Sequence, residues 1–380
     1  MLTPPSNKHS EHAADIQRWV ANALDTGIWS GRQIAAVIGD APSHYSKSPA
    51  LWNAAFARLG FDAIYIALDV DENHLGALTG TLKTCDFFLG ANVTVPHKAR
   101  IMPFLDDIDA GARRIQAVNT VVRTSNGRLV GYNTDGEGFI ESLLTPEPGR
   151  TQPLFESKKS LSGTDVLLLG AGGSARAVAF ALADLLEEGQ LFICNRSFDH
   201  AVSLALDLEK NGRHAMPISE AELGPCAIKV GLVVNCTTKG QGGVRRLSDG
   251  RLTLLESYSS LAPAHPLAIT PSDFENHRTR QEWLDAAQAD IAANNLSSLE
   301  LARSIPQNAR FYDLIYHPDE TVFLRHGRSS GHRTQNGRAM IVRQAAIALW
   351  RCICKAQLVE MDKNDTATYS TVTETMFASW

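Results

Sequence analysis

The apolar run DVLLL at 165–169 leads directly into GAGGSARAVAFALADLL, and this strand, glycine turn and helix constrain the chain more than any other stretch. Gly170, Gly172 and Ala175 occupy the small-residue positions of G-x-G-x-x-G/A. Lacking side chains, the first two let the backbone turn tightly and approach a pyrophosphate, whose charge is met by N–H groups opening the helix. Gly170, Gly172, Gly173, Ser174 and Ala175 are therefore the expected dinucleotide-binding residues. Such a turn also occurs in nucleotide-free α/β domains; the end of the next strand, LFICN (191–195), bears on which dinucleotide is bound. An NAD-preferring site places an acidic residue there to hold the ribose. This chain has Asn195, Arg196 and Ser197 instead. A guanidinium offers a fork of donors matched to a phosphate, and no carboxylate repels one, so the spacing predicts NADP over NAD.

Upstream, IAAVI (34–38), AIYIALDV (63–70) and FFLGANVTV (87–95) read as strands, with helical stretches 50–59 and 73–84 between them. TVVRTSNGRLVGYN (120–133) has two β-prone runs around Asn126-Gly127, a hairpin signal. The Pro-, Gly-, Ser- and Thr-rich residues 144–163 separate this unit from the second, whose later strands are GLVVNC (231–236) and RFYDLIY (310–316). The expected fold is α/β with two domains: an N-terminal α/β substrate domain and a Rossmann-type NADP-binding domain. Residues 1–33 form an extension whose Ile16, Trp19, Val20, Ala23 and Leu24 predict a helix over 12–24. Residues 34–143, completed by a helix at 335–355, form the first domain, and 150–330 form the second, with an insertion at about 244–308 containing a helix at 281–303. Residues 362–380, rich in Thr and Ser, are expected as a frayed tail.

A net charge of −5 and a pI near 6.2 provide no broad positive field, so neither nucleic acid nor membrane is an expected partner. No apolar run reaches the roughly 18 residues of a membrane span, and Pro4, Pro5, His9 and Glu11 interrupt the start where a secretory signal would be apolar. The six cysteines are scattered without paired CxxC units, which predicts a reducing cytoplasm and no metal; Cys352 and Cys354 read as packing residues.

Several polar residues stand where a buried strand or turn would be apolar. SKSP (46–49), NVTVPHK (92–98), AVNT (117–120) and NTD (133–135) resemble, in order and spacing, the substrate-domain motifs of the shikimate dehydrogenase family. The likeness continues through GAGGSARA (170–177), NRS (195–197), YDLIYHPDET (312–321) and NG followed by M and RQAA (336–346). It implies that Ser46 and Ser48 bind a substrate carboxylate, that Thr94, Asn119 and Gln344 hold ring hydroxyls, and that Lys98 and Asp135 form the catalytic pair. Tyr316 would lie near the carboxylate and Gly337 near the nicotinamide. The implied substrate is a small cyclic polyhydroxy carboxylic acid, shikimate first and quinate or an amino-substituted analogue next, handled by a monomer or homodimer.

The residue types suit that chemistry. Oxidising a secondary alcohol sends a hydride to the nicotinamide while a proton leaves the oxygen, and a side chain must receive it. Desolvation of a lysine and a neighbouring carboxylate act in opposite directions on its proton, so the pair reads either as a relay or as an ammonium that polarises the oxygen. Each residue also has a plain structural reading. Ser46 and Ser48 suit a helix cap, Asn119 and Asp135 suit turns, and Lys98 suits an exposed charge. His97 is expected on the surface or behind the site rather than as a base. GDAPSHYSKSP (39–49) is one residue longer than the usual family turn, with Tyr45 before Ser46. Two rival readings are a non-catalytic NADP- or metabolite-binding regulator, which leaves Lys98 and Asp135 idle, and a folate-type dehydrogenase, which leaves the SKSP serines unexplained.

Overall fold

A computed structural model of the chain describes residues 6–380 except 30 and 248. They form two compact units, one built from the chain up to Glu141 together with Met340–Trp380, the other from Ser142–Ala339.

The first unit is organised by β1 (Gln33–Gly39), β2 (Ala63–Asp69), β3 (Phe88–Val93), β4 (Asp107–Ile108), β5 (Thr120–Arg123) and β6 (Leu129–Tyr132), in the order β2-β1-β3-β5-β6-β4. β1 pairs in parallel with β2 and β3, β5 is antiparallel to β3 and β6, and Gly127, at φ 80°, turns the β5–β6 hairpin. The helix Ser48–Leu59 buries Leu51, Trp52, Ala55, Phe56 and Leu59 at helical spacing and stops at Gly60, whose φ of 76° suits glycine. Trp52 is fully buried and stacks on Tyr65 of β2 with ring centroids 4.7 Å apart. This contact fixes the serine-bearing helix on the sheet.

Two terminal expectations are corrected. The N-terminal helix spans Ser6–Gln17, earlier than 12–24: Gln17 Nε2 donates to Asn22 O at 3.0 Å, and the chain then runs alongside β2. The last residues are no frayed tail but a helix, Thr366–Ala378, capped by Asp365 and burying Val372, Thr373, Met376 and Phe377. Ser370, Thr371, Thr373 and Thr375 bond their hydroxyls back to carbonyls one turn earlier, for example Thr375 Oγ1 to Thr371 O at 2.7 Å, which accommodates them within the helix. The helix expected at 335–355 is Arg338–Ile347 followed by a π-helical stretch, Ala348–Ile353.

The second unit contains β7 (Val166–Leu169), β8 (Leu191–Cys194), β9 (Met216–Ile218), β10 (Leu232–Asn235), β11 (Val244–Arg246), β12 (Leu252–Leu254), β13 (Arg310–Asp313) and β14 (Arg333–Gln335). Six of these form a wholly parallel sheet ordered β14-β13-β10-β7-β8-β9, a Rossmann arrangement whose winding reverses between β7 and β10. The buried faces of all the central strands explain their unbroken apolar runs. The stretch read as an insertion is largely the β10-to-β13 crossover itself. It carries the β11–β12 pair and the 28-residue helix His277–Ser304, anchored where Asn294 Nδ2 donates to the carbonyls of Ser259, Ala262 and Pro263. No helix among the described residues is long and apolar enough to cross a membrane.

Candidate active site

Three segments of the first unit converge. After β3 the chain turns through Thr94 into the helical turn His97–Arg100, which carries Lys98. After β6 it passes Asn133 and Thr134 into the helix Asp135–Leu144. Asn119 lies between them, immediately before β5. Asn133 Oδ1 accepts from the Asp135 N–H at 3.0 Å, and its Nδ2 donates to Ala117 O at 2.8 Å, so this turn is stapled before the helix begins.

The Lys98 ammonium donates to Asp135 Oδ2 at 2.5 Å, with the two side chains 13% and 5% exposed. Asn119 Nδ2 donates to the other oxygen, Asp135 Oδ1, at 2.8 Å, and also reaches Thr134 Oγ1 at 3.0 Å and Gln344 Oε1 at 3.2 Å. Asn119 Oδ1 accepts from the Thr134 N–H at 2.8 Å and from the Thr120 hydroxyl at 2.9 Å. Lys98, Asp135, Asn119 and Gln344 are thus one hydrogen-bonded cluster. Gln344 reaches it because Gly138 lets the helices pack closely: a Cβ there would lie 2.7 Å from the Gln344 backbone N. The Thr94 hydroxyl, in a partly exposed position, has no hydrogen bond among the described residues.

Ser46 and Ser48 join through the backbone: the Ser48 N–H donates to Ser46 Oγ at 3.2 Å. The Ser46 oxygen does help the helix begin, as the plainer reading expects, yet its own O–H is still available to a ligand. The buried Ser48 hydroxyl lies beside the Tyr65 phenol, which donates to Asn92 Oδ1 at 2.7 Å, and Asn92 Nδ2 donates onward to Thr120 Oγ1 at 3.2 Å. Burial holds the Tyr65 phenol well above its ordinary pKa, which keeps it a neutral donor. Tyr65 and Asn92 therefore tie the serine turn to the Asn119 cluster. Neither was singled out from the sequence. The available signal was Asn92 itself, one polar residue in a strand whose every position is buried.

His97 takes the second of the two places expected for it, behind the site and not on the surface. It is 1% exposed and its Nε2 lies 2.6 Å from Val70 O, so it holds the end of β2 against the lysine turn.

In the second unit Gly170 follows β7 with φ 113°, a conformation strained for any side chain, and a Cβ there would meet the Cys236 carbonyl at 3.0 Å. Gly172 is exposed, a Cβ there would meet nothing within 4 Å, and the helix Gly173–Ala183 begins immediately after it. The open backbone at a helix start fits a pyrophosphate. Asn195 Nδ2 donates to Ser197 O at 2.9 Å and fixes the turn after β8. Arg196 there is exposed, with no ion pair among the described residues, and the turn offers no competing carboxylate. This donor set fits a phosphorylated ribose. Tyr316 is half-buried after β13, and the Gly337 N–H donates to Ile315 O at 3.0 Å. A Cβ on Gly337 would fall 2.0 Å from Leu314 O, so backbone apposition alone accounts for that glycine.

Residues 37–121 match the family model for the shikimate dehydrogenase substrate binding domain. The chain is 36% identical over 315 residues to a protein of Desulforamulus reducens named shikimate dehydrogenase (NADP(+)), covering 81% of this chain and 87% of that one. A similarly named protein of Carboxydothermus hydrogenoformans is 34% identical, with 83% and 90% covered. The shikimate 5-dehydrogenase of Thermus thermophilus, solved with NADP(H) and shikimate, superposes with a TM-score of 0.59 at 27% identity over 90% of this chain and 99% of its own.

Proposed function

The chain belongs to the shikimate dehydrogenase family, and from that premise we propose that it is an NADP-dependent oxidoreductase interconverting shikimate and 3-dehydroshikimate, a step of aromatic amino acid biosynthesis. We assign substrate binding to the first unit and NADP binding to the second. The observation that carries the reading is the cluster of Lys98, Asp135, Asn119 and Gln344, which offers a carboxylate-held ammonium beside amide groups suited to hydroxyls.

Asp135 engages one of the three protons of the Lys98 ammonium and fixes the direction of the side chain. In oxidation the pair takes the proton of the substrate hydroxyl; in reduction Lys98 returns it to the oxygen that becomes the alcohol. NADP, when bound, supplies the hydride acceptor and NADPH the donor. Positioned proton transfer of this kind is worth roughly 10²- to 10⁴-fold in rate. Ser46 and Ser48 supply hydroxyl donors for the substrate carboxylate, while Thr94, Asn119 and Gln344 hold ring hydroxyls. A substrate lacking one hydroxyl leaves a buried polar group unpaired, at about 1–3 kcal/mol, or roughly ten- to a hundredfold. Gly170, Gly172, Gly173, Ser174 and Ala175 would hold the pyrophosphate, Asn195, Arg196 and Ser197 the phosphorylated ribose. Tyr316 and Gly337 keep the roles that their motifs imply. Cys85, Cys194, Cys352 and Cys354, whose thiol pKa values burial raises to about 11 or higher, support a reducing cytoplasm. A monomer or homodimer needs no residue from elsewhere for this cluster.

The test is NADP reduction by the purified protein over a panel of shikimate, quinate and an amino-substituted analogue. Shikimate is expected to give the highest kcat/KM; reduction with quinate alone would move the substrate assignment, and binding of NADP without any turnover would favour a regulator.

A further inference from the structure

The edge of the first sheet carries a device that the family reading leaves unused. β2 is the outermost strand, so the polar backbone groups of Tyr65, Ala67 and Asp69 face away from β1 and need partners. Asn53 clasps both groups of Tyr65, accepting from its N–H at 2.8 Å and donating to its carbonyl at 2.9 Å. The rest of the edge is covered from the N-terminal extension. Asn22 Nδ2 donates to Ala67 O at 3.0 Å, Asn22 Oδ1 accepts from the Asp69 N–H at 2.8 Å, and the Ala21 N–H donates to Asp69 O at 2.8 Å. Gln17 locks this strap by donating to Asn22 O and accepting from the Leu24 N–H at 2.8 Å, while Ile16 and Val20 are buried in the core beneath it.

Asp69, gripped on both backbone groups, turns its carboxylate the other way. Oδ1 accepts from the Ser43 N–H at 2.9 Å and Oδ2 from the Ser43 hydroxyl at 2.5 Å. Ser43 lies in the helical turn Pro42–Tyr45, whose end is set by the Ser46 N–H donating to Pro42 O at 2.9 Å. Ser46 Oγ then accepts from the Ser48 N–H. This turn is the segment with the extra residue. A carboxylate at the start of a short helical turn satisfies donors that would otherwise face water, and here its residue is held through both backbone groups.

We propose that the strap, through Asn22 and Asp69, holds the Ser43 turn in the geometry that presents Ser46 and Ser48 to the substrate carboxylate, making Asn22, Asp69 and Ser43 positioning residues for substrate recognition. The inference rests on the shikimate dehydrogenase reading. Its prediction is a split in kinetic constants: a displaced serine turn weakens carboxylate binding, whereas Lys98 and the nucleotide unit are untouched.

The experiment uses the 380-residue chain with Asn22→Ala, Asp69→Ala and Ser43→Ala, the last at an exposed residue, so that no core cavity is opened. Each variant is expected to raise KM for shikimate roughly tenfold, the effect of one displaced hydrogen bond to a charged group, with kcat and KM for NADP unchanged. Asp69→Asn, which retains an oxygen for the Ser43 N–H, recovers most of the loss. Binding of the shikimate methyl ester, which lacks the carboxylate charge, changes little. Amide hydrogen exchange at Ser46 and Ser48 speeds up in Asn22→Ala without a general rise in the first unit. An unchanged shikimate KM, a fall in kcat and NADP affinity alongside it, or an equal effect on the ester overturns the inference. Wild-type protein without shikimate turnover overturns the functional reading instead, and hydrogen exchange then still decides whether the strap holds the turn.

Discussion

Removing one partner of the Lys98–Asp135 pair while keeping the other separates the pair's structural cost from its chemistry. With side chains 13% and 5% exposed, neither charge is well hydrated, so Lys98→Met leaves the Asp135 carboxylate with Asn119 as its remaining side-chain donor. Breaking a fully buried pair costs about 3–5 kcal/mol; the partial exposure of the lysine argues for the lower end, about 3 kcal/mol. For a domain of this size that corresponds to a fall in Tm of roughly 6–12 °C. Asp135→Asn is expected to cost a similar amount by removing the carboxylate that holds the ammonium. The double variant Lys98→Met with Asp135→Asn carries no buried charge and should recover most of the lost stability, yet its kcat stays roughly 10²- to 10⁴-fold below wild type. Thermal unfolding and steady-state NADP reduction on the four proteins complete the cycle. If the two single losses simply add, within about 0.5 kcal/mol, the side chains do not interact and the reasoning is refuted.

Three further outcomes are expected. Arg196→Asp should raise KM for NADP about ten- to a hundredfold, with KM for NAD raised far less; equal effects on both, measured by cofactor titration, would remove the guanidinium from 2′-phosphate recognition. Gly172→Ala should leave the denaturant midpoint unchanged, since a Cβ meets nothing within 4 Å, while weakening NADP binding; Gly337→Ala, with its Cβ 2.0 Å from Leu314 O, should lose about 2 kcal/mol or more in the same urea titration. Burial pushes the Asp313 carboxyl up to about 7, against the pull of its bonds from Thr321, Ile315 and Asn235. A carboxyl whose folded pKa lies above its unfolded value of 3.8 favours the fold while protonated, so its contribution fades as the pH rises from about 4 to about 7. Asp313→Asn should flatten the stability profile across that window, as followed by urea unfolding at several pH values.

What was legible in the chain divides along physical lines. The second unit could be read locally because a buried parallel strand must be apolar throughout and Gly170 needs a positive φ, both properties of adjacent residues. The Lys98–Asp135 contact spans 37 positions, and no periodicity encodes it; only the resemblance of several motifs together indicated it. Terminal segments were read least well. The C-terminal helix is made from Thr and Ser, whose weak helix preference is outweighed by Val372, Met376 and Phe377 reaching the core. At the N-terminus, the apolar spacing at Ile16 and Val20 marked burial, but Asn22 exchanges helical bonds for bonds to β2 while Gln17 bonds the strap itself, a competition settled only once the strand edge is present. Asp69 was invisible because nothing around it in sequence shows that its carboxylate meets a turn 26 residues earlier.

The central claim is that Lys98 moves the proton while the rest of the site binds. A single-turnover experiment, mixing the enzyme–NADP complex with shikimate and following the nicotinamide absorbance, tests it directly. Lys98→Ala should bind both ligands with Kd values near those of wild type and form NADPH roughly 10²- to 10⁴-fold more slowly. NADPH formation at the wild-type rate in that variant would contradict the account.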